Sequence, residues 1–338
     1  MNPTQQVDRP TLNVLTNHGY GVGFFFTSII SFFILIFSPT SQAASCCGGG
    51  ASSGIILPKF NDVMWDLSLA NEDYDGYWTQ QGVYQKDPRD STLIQRRLNA
   101  SYAHRLNDNF QLNSNIALVN NDNQYSGDRN SVTALGDMQL GIWYEAFDNV
   151  TCIYKINGWE SLKPSIYFGG TLTLPTGISP YTDRIDSSFD ITGLGFYRFD
   201  ANVIIEKTVY PFSLSWQGQY GYTFKRPINQ EYSQVITPYT KQLGDRYSNT
   251  FNGAYTWFLP NLSMLTLTAS LSQLKEDSAK INGQIDHTSG LEKSTLGLAF
   301  AYSNAVRDWI IKASFSQADS GENIPKTQVL NIGVSHVY

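Results

Sequence analysis

GDMQLGIWYEA, residues 136 to 146, alternates with a period of two. Met138, Leu140, Ile142 and Tyr144 fall on one face of an extended chain, and Asp137, Gln139, Gly141, Trp143 and Glu145 fall on the other. The same pattern returns in SIYFGGTLTL (Ser165 to Leu174), where Ile166, Phe168, Leu172 and Leu174 oppose Ser165, Tyr167, Thr171 and Thr173. It returns again in YRFDANVIIE (Tyr197 to Glu206), where Phe199, Ala201, Val203 and Ile205 oppose Arg198, Asp200, Asn202 and Glu206. One face suits hydrocarbon and the other suits water. A soluble sandwich also alternates, but its apolar face is the inside. About a dozen such segments without a helical pattern point instead to a barrel that turns its polar face to a lumen.

Working outward, segments of this kind run near 63–71, 92–106, 109–120, 132–146, 165–176 and 197–210, and then near 213–224, 248–258, 262–273, 292–304, 309–317 and 327–338. The reading is all-β: a transmembrane antiparallel barrel of about 12 strands occupying 63–338. Tight turns at 106–109, 210–212, 259–261 and 304–308 alternate with long polar stretches such as 225–247 and 275–293. That layout puts the short turns and both ends of the barrel on the periplasmic side. The stretch 147–164 departs from it, being long where a short turn is due.

Composition agrees with a lipid-facing β protein. The chain has 20 Tyr, 19 Phe and 7 Trp, and 15% of its residues are charged against a usual quarter or so. A net charge of -6 without a basic run excludes nucleic acid as a partner. Tyr144, Tyr210, Trp257, Trp309 and Tyr338 fall where strands meet the short-turn rim, as in an interfacial girdle, and Tyr222 and Phe224 fall at the other rim. Lys207 lies on an outward face close enough to a turn to reach the interface.

Before the barrel comes an address. FFFTSIISFFILIF, Phe24 to Phe37, is 14 residues long, short of the roughly 20 that a spanning helix needs. With Ser41-Gln42-Ala43 behind it, the segment reads as a signal peptide over 1–43, cleaved after Ala43, against the competing reading of a short anchor helix. Residues 44–62 form a Gly-rich periplasmic lead-in. No later stretch holds 18 apolar residues, so passage through a membrane requires a closed barrel.

Three cysteines, Cys46, Cys47 and Cys152, give no metal-binding spacing, and nothing in the sequence calls for a cofactor or metal. The sequence Ala43-Ala44-Ser45-Cys46 lacks the branched apolar residue usual before a lipidated cysteine. If the termini and short turns share the oxidising periplasm, a disulfide from Cys46 or Cys47 to Cys152 becomes available.

From Gly136 to Phe224 the chain resembles the outer-membrane protein family named for the meta-pathway of phenol degradation. The likeness lies in GDMQLGIWYEA, PSIYFGGTLTLPTG, DITGLGFYRFDANVIIEKTV and SWQGQYGYTF. It implies a barrel that admits aromatic or other hydrophobic compounds, and carries no substrate-binding residues over. Thr192-Gly193-Leu194-Gly195 stands where the family shows a Gly-Thr-Gly-Ser run.

Three functions follow from such a barrel. A passive channel or uptake protein would line its lumen with Asp137, Gln139, Glu145, Arg198, Asp200, Glu206, Gln217, Gln219 and Lys312, unless these merely fill a narrow interior that the lead-in or a long loop further plugs. A structural or surface-adhesive barrel would work through its long loops. An outer-membrane lipid hydrolase would need a Ser and His pair on the wall, and the histidines after the signal are His104, His287 and His336, with no G-x-S-x-G. The expected partners are outer-membrane lipid, the barrel-assembly machinery and small aromatic solutes. For assembly, Leu330, Ile332, Val334 and Tyr338 present apolar residues at every second place before a terminal aromatic, opposite Asn331, Gly333 and Ser335. Edman sequencing of the mature protein is expected to start at Ala44; retention of Phe24 to Phe37 would contradict the cleavage site.

Overall fold

The period-two segments pair as antiparallel neighbours in chain order, and the last closes on the first. The computed structural model describes residues 56–338 except 60, 89, 126–127, 147–151, 184 and 186. The signal segment, its cleavage site, and Cys46 and Cys47 lie outside the described residues. Six strands make the first half: β1 (Val63–Trp78), β2 (Thr92–Arg105), β3 (Phe110–Tyr125), β4 (Asp128–Leu135 continued by Met138–Glu145), β5 (Ser165–Leu174) and β6 (Arg198–Val209). The second half is β7 (Phe212–Thr223), β8 (Arg246–Phe258), β9 (Met264–Glu276), β10 (Leu291–Ser303), β11 (Trp309–Glu322) and β12 (Ile324–Val337). The result is a closed barrel of 12 antiparallel strands.

Closure is made between β1 and β12, with Met64 opposite Val337 and Leu69 opposite Ile332. The Asp62 N–H donates to the Tyr338 carbonyl at 2.8 Å and the Tyr338 N–H donates to the Val63 carbonyl at 2.9 Å. Register then sorts the side chains. Leu67, Leu98, Ile142, Phe168, Phe199, Ile311 and Leu330 are exposed on the outer surface, while Ser68, Ser101, Gln111, Asp200 and Ser335 are buried within. A surface this apolar on every strand faces hydrocarbon. Leu330, Ile332, Val334 and Tyr338 are on that outer face. At the short-turn rim the aromatic rings touch one another: Phe110 and Tyr144 lie 4.9 Å apart, Tyr255 and Trp257 4.6 Å, and Trp65 and Tyr102 4.4 Å.

At the opposite rim the strands outrun the sequence reading. β1 reaches Trp78 rather than 71, β3 reaches Tyr125 rather than 120, and β11 and β12 are joined through Asn323 alone. Apolar alternation ends where the hydrocarbon ends, but the hydrogen-bonded ladder continues into water with polar side chains on both faces. Two long loops also pair with each other, since Arg226–Glu231, Gln234–Gln242, Lys280–Ile281 and Gln284–Ile285 form a separate four-stranded sheet. In the long periplasmic connection, Cys152–Ile153 runs parallel to Thr208 and Val209 of β6, and a short 3-10 turn occupies Trp159–Leu162.

Inside the periplasmic half the Trp143 ring lies over Gly169, its register partner on β5. A Cβ at Gly169 would stand 2.5 Å from that ring. Trp143 in turn packs with Tyr167 and Ile204 in a buried cluster. The ring has nowhere to retreat. Gly169→Leu is therefore expected to cost about 1–3 kcal/mol through overpacking, seen as a lower midpoint for loss of the heat-modifiable band in a urea series.

Candidate functional site

The barrel interior is where polar side chains converge, and four of its acids are ion-paired. Lys59 meets Glu145 at 2.8 Å and Arg198 meets Asp200 at 3.0 Å, while Lys312 bonds Asp66 and Arg97 bonds Glu72. Each pair spans different strands or a strand and the lead-in, except Arg198 and Asp200, which are inward neighbours on β6. Asp66 also accepts from the Ser335 hydroxyl at 2.6 Å, which stitches β1 to β12 on the inside. Glu206 accepts from the Tyr167 hydroxyl at 3.2 Å. Gln139 and Gln219 are half-buried and inward-facing, and Gln217 is buried.

The short-turn end of the barrel is entered by the segment just before β1. The Leu57 N–H donates to Gln111 Oε1 at 2.7 Å, and Arg105 donates to the Pro58 and Asn61 carbonyls at 3.1 and 2.9 Å. Leu57, 2% exposed, packs with Met64, Ala103, Ile310 and Val337, and Ile56 packs against the Trp143 cluster. All are inward residues near the short turns.

At the long-loop end, the loop 175–197 between β5 and β6 is bonded to the wall. Its neck is held by Asp137, which occupies the break in β4. One carboxylate oxygen accepts from the Gly177 N–H at 3.0 Å and the other from the Leu194 N–H at 2.7 Å. Its tip lies on the inner wall: Asn121 donates to the Phe189 and Ile191 carbonyls at 2.9 Å, and Asn123 donates to Phe189 at 3.2 Å. The hairpin 226–242 packs against the same loop, with Ser233 bonded to Ile185, Arg226 to the Gly195 carbonyl, and Tyr181 flanked by Arg226 and Lys241 at 5.4 and 5.7 Å. In that hairpin, burial and then the 2.5 Å bond to Glu231 push the Tyr239 phenol above its ordinary pKa.

Between these two insertions, the wall formed by β7 to β11 is lined by small groups. Ser213, Ser215, Thr250, Asn252, Ser270, Ser272 and Ser314 are half-buried and inward. They bond across strands, as Asn252 does to Ser215 and Thr250 to Ser272, both at 3.0 Å.

A solved outer membrane channel from Pseudomonas putida has the same architecture: it superposes with a TM-score of 0.63, over 86% of this chain and all of that one, at 15% identity. The fold is that of an outer-membrane β-barrel. The beta domain of the Bordetella autotransporter BrkA aligns over 82% of this chain and all of that domain, with a TM-score of 0.46 and 12% identity. No protein-family model and no curated protein matches the sequence.

Of the residues singled out from sequence, Asp137 acts on the loop neck rather than on open wall, and Glu145 and Asp200 are tied up in ion pairs. His336 packs between Trp309 and Tyr338 in the aromatic belt, His104 stacks with Tyr102 beside it, and His287 lies in an extracellular loop with its carbonyl bonded to Gln80. Lys207 reaches the Lys163 carbonyl at 3.0 Å. Gln111, Asn121 and Asn123 escaped the sequence reading. Alternating Asn residues along β3 were the available signal, but the last two fell beyond the apolar stretch. Each N–H bond to the Asp137 carboxylate contributes roughly 1.5–3 kcal/mol. Asp137→Ala is expected to free the loop neck and speed proteolysis within 178–193 by tenfold or more, with the barrel itself still resistant.

Proposed function

We propose that this chain is a passive channel of the bacterial outer membrane for small, weakly charged solutes, aromatic or hydrophobic compounds among them. One observation carries the reading: the interior is polar on the β7 to β11 side, and the inward acids Asp66, Glu72, Glu145 and Asp200 are each matched by a cation. Paired charges leave little long-range field to draw or repel ions, so shape and short-range polarity select the solute. Lipid outside would be its solvent, and the β12 outer face its assembly signal. The sequence likeness to the phenol meta-pathway family supports the aromatic cargo.

Passage requires the two insertions to move. Lys59 and Glu145 join the lower one to the wall through an ion pair at 2.8 Å in which both side chains are largely buried, so removing either partner leaves a buried charge unmatched. Surface adhesion has one observation in its favour, the extracellular sheet, on which Val235 is 89% exposed. The deciding measurement is planar-bilayer conductance. Wild type is expected to conduct in small, flickering steps that phenol reduces, and Leu57→Ala with Lys59→Ala to conduct several-fold more; silence from both proteins would leave adhesion as the function.

A further inference from the structure

The lipid-facing wall is dented at one place. Across β6 to β9 the outward residues Lys207, Leu214, Gly253 and Ala269 stand side by side in register. The next row toward the extracellular side is Ile205, Trp216, Phe251 and Leu271. The large side chains of that row, with Leu214 and Pro164, bound a groove of about 620 Å³ whose floor is Gly253 and Ala269. This volume lies within the ordinary range for a small-molecule site, roughly 300–1,000 Å³.

Gly253 is not there because the backbone requires it. Its Cβ would meet only Leu214 Cδ2, at 3.8 Å, an ordinary contact, whereas a Cβ at Gly169 would strike a ring. What the missing side chain provides is the depression itself. At the short-turn end of the groove stands Lys207, three residues before the β6–β7 turn that begins at Tyr210, with its ammonium drawn toward the Lys163 carbonyl. An apolar trough in hydrocarbon with a cation at its interfacial end is complementary to an amphiphile with an anionic head.

We propose that this groove binds an anionic glycerophospholipid of the periplasmic leaflet, one acyl chain lying over Gly253 and Ala269 and the phosphate beside Lys207. Trp216 and Phe251 give the chain flat, rigid walls, and the low side-chain entropy of a glycine floor keeps the trough open without rearrangement. The groove opens outward, away from the lumen, so the site is independent of what the channel carries. It rests on the barrel's placement in the membrane, with the short turns toward the periplasm.

The test is native mass spectrometry of the full barrel released from detergent micelles containing dioleoyl phosphatidylglycerol or, separately, dioleoyl phosphatidylethanolamine. Wild type is expected to keep one phosphatidylglycerol, at several-fold higher occupancy than phosphatidylethanolamine. Lys207→Gln should abolish that preference, and Gly253→Phe, which fills the trough, should lower occupancy by both lipids at least fivefold. Ala269→Leu fills it from the neighbouring strand and serves where Gly253→Phe fails to give the heat-modifiable form. Equal retention by wild type and both filled variants, meaning unspecific surface lipid only, would overturn the site, as would wild type holding the two lipids equally. Conductance is read separately, so a silent barrel that still retains phosphatidylglycerol would reject the channel and keep the lipid site.

Discussion

Every backbone N–H and C=O in hydrocarbon must find a partner within the protein, and the pairing of β1 with β12 is where this chain meets that constraint. An unpaired strand edge in lipid leaves several groups without partners, at several kcal/mol for each. Once the two strands pair, the register of the other ten follows around the wall, because a slip of one residue would exchange every inward and outward side chain. The inner stitch of Asp66 to Ser335 and Lys312 depends on that register, and so does the outer row of Leu330 and Ile332.

The closed wall then sets the terms for its interior. Charges buried at Asp200 and Glu145 need partners at short range, since an isolated buried ion costs several kcal/mol. The partners come from wherever the register brings a cation: two residues along β6 for Asp200, and the lead-in for Glu145. The same economy of space explains why the chain's own segments occupy both ends. A barrel of 12 strands is wider than side chains alone fill and narrower than an open porin, so its interior takes peptide from the lead-in below and from loop 175–197 above. The wall of small hydroxyl residues from β7 to β11 is what those two insertions leave uncovered.

Strand number, order and facing were legible because the hydrocarbon imposes alternation over its whole thickness. Where that pressure stops, legibility stops with it. β1, β3, β11 and β12 all continue beyond the points at which their apolar alternation fades, and the hairpin 226–242 with its partner strands at 280–285 lies in stretches that read as polar loop. Asp137 illustrates the limit within the site. Its parity marks it as inward, but its acceptors' partners, Gly177 and Leu194, are 40 and 57 residues away and offer only backbone N–H groups. Nothing in the identity of either residue announces that contact.

By itself, then, the sequence determined that the strands form an amphipathic wall with aromatic rims, since period-two patterning and interfacial anchoring depend only on near neighbours along the chain. The tertiary structure decided what stands inside that wall and what is dented outside it. Leu57 on Gln111, Asn121 on Phe189, and the shared row of Lys207, Leu214, Gly253 and Ala269 each join residues far apart in sequence. They become neighbours only when closure and register bring distant strands to one level, and a single chain read along its length has no such level.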